Sequence, residues 1–217
     1  MHSDFRSSLP EWTTWIEQIA HELTTLDSHD KLVGELKEII EANPELMKEN
    51  PLSEWMEWVH AADMAIRIRR QVDADGNARS LRRLLEKLKP YQAELLQERI
   101  NTRPEGVSEK SMRTALSGEG TDKLDIGADI LALVVKTKSI VCYADRVVAH
   151  ADKRGMPGVL AWVEVHASAE VVISMAERYY LLVTGNGNGI RIQGPLNVRC
   201  FFLAPWVIPD TGSTNSL

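Results

Sequence analysis

The residues best equipped for chemistry form one row in the C-terminal half of the chain. Lys136, Ser139, Tyr143, Arg146 and His150 follow one another at spacings of three and four. In a helix that spacing lines them along a single face. An imidazole can exchange a proton near neutral pH while a guanidinium holds a phosphate, and metal-independent RNA cleavage needs both roles. Asp145 and Asp152 stand close by, whereas Lys138 points to the other flank of the helix and adds nothing to the row. Read without a ligand, such a row is a solvated helix face.

Positioning that row requires a long helix. From 121 to 150 the residues Ile126, Ile130, Leu133, Thr137, Ile140, Ala144 and Val148 recur every three or four positions, which predicts one uninterrupted helix with an apolar face. A turn at 153–158 leads to a final helix over about 159–184. Gly185 and its neighbours end that helix. Two long helices joined by a short turn should lie antiparallel, with earlier helices covering their apolar faces.

Those earlier helices are legible too. Proline at position 10 suits a helix start, and Trp12, Trp15, Ile16, Ile19 and Leu23 keep helical spacing until the polar run 27–30, where a break is expected. A shorter helix carries Leu32, Leu36, Ile39 and Ile40. After Pro51 a helix runs to about Asp73, with Trp55, Trp58, Val59, Ala62, Ala65, Ile66 and Val72 on the expected core side. His60, Asp63, Arg67 and Arg70 share the opposite side. Arg69 falls near the middle of the apolar side, so it should meet a carboxylate, snorkel, or reach a cleft. Ser80 caps a short helix that ends at Pro90, another spans about 91–100, and 102–120 is the most loop-like internal stretch, with room for a helical turn or two from Ser108 to Leu116. Only 190–208 is β-like, and its apolar run 200–203 should pack on the bundle or across a dimer.

The fold expected is therefore all-α, an antiparallel helical bundle with a short β-like C-terminal arm. It divides into an N-terminal helical cover (1–50), the bundle (51–185) and the arm and tail (186–217).

At 217 residues, 44% apolar and 26% charged, the chain is long enough and apolar enough to bury a real core. The net charge of -6 argues against a surface coated for non-specific duplex binding, so local basic patches matter more than the total. Cys142 and Cys200 lie in unrelated contexts, which points to reduced thiols. No signal-peptide core or membrane-length apolar run is present, so a cytoplasmic protein is expected.

Several standard sites are missing. The sequence holds no phosphate-binding loop, dinucleotide fingerprint, nucleophile elbow or paired-histidine zinc motif, and no cofactor is expected. His60, Asp63, His150, Asp152 and His166 are residues of ligand type, but their spacing is unspecific and no metal ligand set is assigned from them.

The segment from Tyr143 to Asp152, followed by a turn and a long helix, resembles the final helix pair of HEPN domains, especially the abortive-infection AbiU type. Ile66 to Asp73, a turn, and Ser80 to Leu85 are similar to the first core helix and connection of that branch. The resemblance spans roughly Trp55 to Gly185. It implies a helical bundle, usually dimeric, in which paired histidine segments share a cleft. Relatives include RNases of toxin, phage-defence or stress systems, and proteins that only bind nucleotides or partner proteins.

The family pattern is an arginine, four to six residues, then histidine, often with a polar residue after the arginine. His150 and Asp145 match it, but the arginine's place falls on Ala144, and Arg146 is too close to His150. Either Arg146, or Arg69 from the facing helix, replaces the missing arginine in a working ribonuclease, or the site binds RNA, a nucleotide or a partner without cutting. The residues expected at the site are His150, Arg146 and Asp145 for chemistry, and Lys136, Tyr143 and Arg69 for RNA. The partners implied are RNA or a nucleotide, a second copy of the chain, and a protein partner in the non-catalytic reading.

Overall fold

The computed structural model describes residues 2–42, 51–117, 123–148, 162–187 and 190, and among them the regular structure is entirely helical. Helix α1 spans His2–Ala42 and α2 spans Pro51–Val72. Three short helices come next: α3 (Leu81–Leu88), α4 (Gln92–Asn101) and α5 (Glu109–Leu116). Then come α6 (Ile126–Lys136), α7 (Lys138–Tyr143), a π-helical turn over Ala144–Val148, and α8 (Trp162–Thr184). The β-like arm expected over 190–208 lies outside the described residues apart from Ile190.

Local chemistry explains where the short helices begin. Ser80 accepts a hydrogen bond from the Arg83 amide at 3.1 Å, Ser108 from the Ser111 amide at 3.0 Å, and Asp125 from the Ala128 amide at 3.0 Å. Each side chain satisfies one of the amides that a helix start leaves without an intrahelical partner. At the end of α8, Gly185 adopts φ 76°, and a Cβ there would fall 2.0 Å from Arg99 Nη1. Arg99 is buried because it caps that end, donating from Nε to the Leu182 carbonyl at 2.9 Å and from Nη2 to Val183 at 3.0 Å.

Helix α1 packs along α8, and α2 packs against α1, α7 and α8. The core between them includes Ile16, Ile19, Leu23 and Leu26 of α1, Met64 and Ile68 of α2, and Val172, Ala176 and Tyr179 of α8. Helix α3 adds Leu81, Leu84, Leu85 and Leu88, all fully buried.

Three expectations are corrected. Helix α1 does not break at 27–30, because those residues gain partners inside the helix and across it. Asp27 is buried and accepts from Lys31 at 2.9 Å, and Ser28 Oγ donates to the Thr24 carbonyl at 2.6 Å. Proline 10 lies within this helix instead of starting it.

The helix expected over 121–150 is divided at Thr137. This residue is fully buried, sits at φ -101° and ψ 3°, and donates from Oγ1 to the Leu133 carbonyl at 2.7 Å. The buried row Leu133, Thr137, Ile140 and Ala144 nevertheless continues across this division.

The third correction concerns α2, which buries Ala62, Ala65 and Val72 as expected but leaves Trp55, Trp58, Val59 and Ile66 outside and takes His60 inward. His60, Met64, Ile68 and Gln71 face the core, while Trp55 is 58%, Trp58 52% and Ile66 44% exposed. Hydrophobic periodicity marks Trp55, Trp58 and Ile66 for burial, but hydrogen bonds that periodicity does not weigh hold the other side inward.

The two isoleucines of α2 test this orientation. Ile68→Ala should cost about 2–5 kcal/mol as a cavity-forming change, and Ile66→Ala well under about 1 kcal/mol. Urea unfolding of both variants measures the difference, and equal losses would contradict the orientation.

Candidate functional site

The π turn brings one expected residue, Asp145, against another, Arg69. Arg69 on α2 donates from Nε to Asp145 Oδ1, and its Nη1 lies 3.7 Å from Asp73 Oδ2. This is the carboxylate partner expected for an arginine on that face. The hydrogen bond to Asp145 outweighs partial desolvation and raises the Arg69 guanidinium further above its already high value, so it stays charged. Arg146, next in the chain, is exposed. π turns are rare and occur often where a protein binds or reacts.

The other expected residues part company. Tyr143 is buried, and burial pushes its phenol upward, so it belongs to the core and not to a row facing RNA. It stands at the edge of the buried row that Ile140 and Ala144 continue. Lys136, at the exposed end of α6, lines a groove of about 690 Å³ between α6 and α8 that also holds Lys123, Asp129 and Arg178. There Asp129 accepts from Tyr179 at 2.5 Å and from Arg178 at 2.8 Å. His150, the lead residue of the sequence reading, lies outside the described residues, as does Asp152. Ala144, where the HEPN pattern would put arginine, is 1% exposed, so the backbone aims that position into the core.

A second cluster escapes most of the sequence reading. On α1, His29 and Asp30 are neighbours. His29 Nδ1 lies 2.9 Å from Asp63 Oδ2 of α2, and Arg67 Nε donates to both Asp63 oxygens at 2.9 Å. Asp30 Oδ2 lies 2.5 Å from His166 Nδ1 of α8, with buried His60 Nε2 3.7 Å from its other oxygen.

Burial works to raise both carboxyls. Hydrogen bonds and charge from His60 and His166 overcome it at Asp30, and those from Arg67 and His29 overcome it at Asp63. Both carboxyls therefore titrate below the usual range. Among the described residues no group of three or more ligand-type side chains is arranged to hold a metal ion. Residue type alone groups His60, Asp63 and His166. The i, i+3, i+7 spacing of His60, Asp63 and Arg67 along one side of α2 could have added Arg67, whereas no local signal marks His29 and Asp30.

Because Asp30 and Asp63 have lowered folded-state values, the stability they contribute is present above the ordinary value of 3.8 and is lost as pH falls through it toward the folded value. Asp30→Asn should therefore reduce stability at neutral pH and flatten the acid limb below about pH 5. Thermal unfolding followed from pH 7 to pH 3 would show this, and an acid limb as steep as that of the unsubstituted chain would count against it.

Comparison with protein-family models, with curated proteins and with solved structures gives no match for the chain, so its function is argued from its own residues.

Proposed function

We propose that the chain is a HEPN-like protein that binds RNA or a nucleotide through a surface built on Arg69, Asp145 and Arg146, and that it acts as a homodimer. The observation that carries this reading is Arg69, supplied from α2 and fixed by Asp145 beside the exposed Arg146. His150 comes four residues later in the chain. A fixed guanidinium next to a second cation suits phosphate recognition, since its orientation is set before the ligand arrives. Position 144 faces the core, so Arg69 is the natural substitute for the arginine of the family pattern. Binding is the primary role, and cleavage by His150 with one of these arginines is the degenerate one. The phage-defence, toxin–antitoxin or stress setting comes with the resemblance alone.

Fluorescence anisotropy with a labelled single-stranded RNA at low salt tests the proposal. The Arg69→Ala/Arg146→Ala double variant should bind about tenfold or more weakly, with a shallower salt dependence, because fewer phosphate contacts release fewer counterions. Wild-type affinity in that variant, or no binding by the unsubstituted chain, would refute it.

One observation favours a protein-interaction reading beside this one. Trp55, Trp58, Val59 and Ile66 form an exposed apolar strip on α2, larger than scattered surface residues explain. The strip suits a second copy of the chain. In an antiparallel pair of these strips Trp58 of one copy would lie near Ile66 of the other. Multi-angle light scattering should find a dimer that Trp58→Asp or Ile66→Asp converts to monomer. A persistent dimer in both variants would place the contact elsewhere.

A further inference from the structure

The groove between α6 and α8, about 690 Å³ in volume, falls within the roughly 300–1,000 Å³ usual for small-molecule sites. Its floor is open because α6 presents only Ala128 and Ala132 there, four residues apart, while α8 contributes Val171 and Met175. Asp129 and Lys136 share the side of α6 that carries Ala132, one three residues before it and the other four after. The apolar floor thus has a charged group at each end.

One end has a fixed geometry. Burial keeps the Tyr179 phenol protonated, so it donates to Asp129 Oδ2 at 2.5 Å, and Arg178 Nη2 lies 2.8 Å from Asp129 Oδ1. The same guanidinium lies over the Tyr179 ring, 5.3 Å from its centre. Two contacts therefore orient a cation whose side chain is only 12% exposed and which still lines the groove.

The carboxylates of the groove already have partners. Both oxygens of Asp129 are taken, Asp125 accepts from the Ala128 amide at 3.0 Å, and Glu170 accepts from Ser174 Oγ at 3.0 Å. Lys136 differs from them, since its exposed ammonium meets no carboxylate among the described residues. A guanidinium also has N–H donors enough for a second carboxylate beside Asp129. The remaining binding capacity is therefore cationic. It lies at two places, because Arg178 stands at the level of Asp129 and Lys136 is two turns, about 10 Å, further along α6.

We propose that the α6–α8 groove binds a linear organic dianion, with one carboxylate on Arg178, the other on Lys136, and the hydrocarbon chain between them against Ala132, Val171 and Met175. An oriented guanidinium suits a carboxylate, which it meets through paired N–H groups, and the lysine on its flexible stem takes the second carboxylate as a point charge. Length is selected together with charge. A short diacid cannot reach both cations, and a long monoacid leaves one of them without a partner. None of the residues that line the groove belongs to the Arg69–Asp145 surface, so this inference does not rest on RNA binding.

NMR titration of the isotope-labelled full chain with octanedioate tests it. Octanoate, which lacks the second carboxylate, and butanedioate, which is too short to span the two cations, are the comparison ligands. Octanedioate should bind saturably, with shifts centred on α6 and α8, and about tenfold or more tightly than either of them, the effect expected from one charge-assisted contact. Lys136→Gln should bring octanedioate down to the affinity of octanoate. Ala132→Leu, which fills the floor, should abolish binding. Lys136 is exposed and Ala132 is only half-buried, so both variants should keep the thermal midpoint of the unsubstituted chain, which shows them folded.

No saturable binding of octanedioate would overturn the inference. Equal affinity for octanedioate and octanoate would do so too, because the second cation would then contribute nothing. Unsubstituted affinity in Lys136→Gln or in Ala132→Leu would place the ligand outside the groove and overturn it equally. RNA affinity in the Arg69 double variant is measured independently, so either proposal can fail while the other stands.

Discussion

Helix α2 has two long faces and can bury only one of them. The face turned inward carries His60, Met64, Ile68 and Gln71, and it is held by contacts from α1 and α8. Gln71 shows how tight the hold is, since its side chain donates to Glu22 of α1 at 2.9 Å and accepts from the Leu81 amide at 3.2 Å. Turning α2 over would expose Met64 and Ile68 and strand these polar groups, and buried polar groups without partners are expensive. That choice then sets where everything else goes. Asp63 and Arg67 come round to His29, Arg69 comes round to Asp145, and the tryptophans are left outside.

The same choice separates two kinds of charge. Arg69 and Asp145 are both about half exposed, so their attachment fixes a geometry more than it stabilises the fold, surface pairs contributing about 0–1 kcal/mol. Asp30 and Asp129 are mostly buried and each answers to more than one partner, Asp30 to His60 and His166, Asp129 to Tyr179 and Arg178. Removing one member of such a set leaves a carboxylate uncompensated, which costs more than the pair contributes when complete. The Arg69–Asp145 pair therefore sits where charge can rearrange, and the helix junctions where it cannot.

Much of the fold was legible in the sequence. Ser80 as a cap, the end of α8 at Gly185 and the carboxylate partner of Arg69 all follow from local geometry or from the cost of an unpaired charge. The candidate site was legible only in part. Arg69 and Asp145 come together and Arg146 is exposed next to Asp145, but Tyr143, at the edge of the face that Ile140 and Ala144 bury, is covered in the fold, which a helical wheel does not record. His29 and Asp30 read as a turn because polar residues of that kind favour turns when nothing else binds them.

By itself, then, the sequence determined the helical class, the cap at Ser80 and the stop at Gly185, and the existence of a charged group on α2 that had to find a partner. These depend on periodicity, backbone geometry and charge, all properties of neighbouring residues. Only the tertiary structure decided which face of α2 is core, whether α1 continues through 27–30, and which histidines meet which carboxylates. Those outcomes depend on hydrogen bonds between residues such as Asp30 and His166, 136 positions apart in the chain, and no local pattern records such a bond.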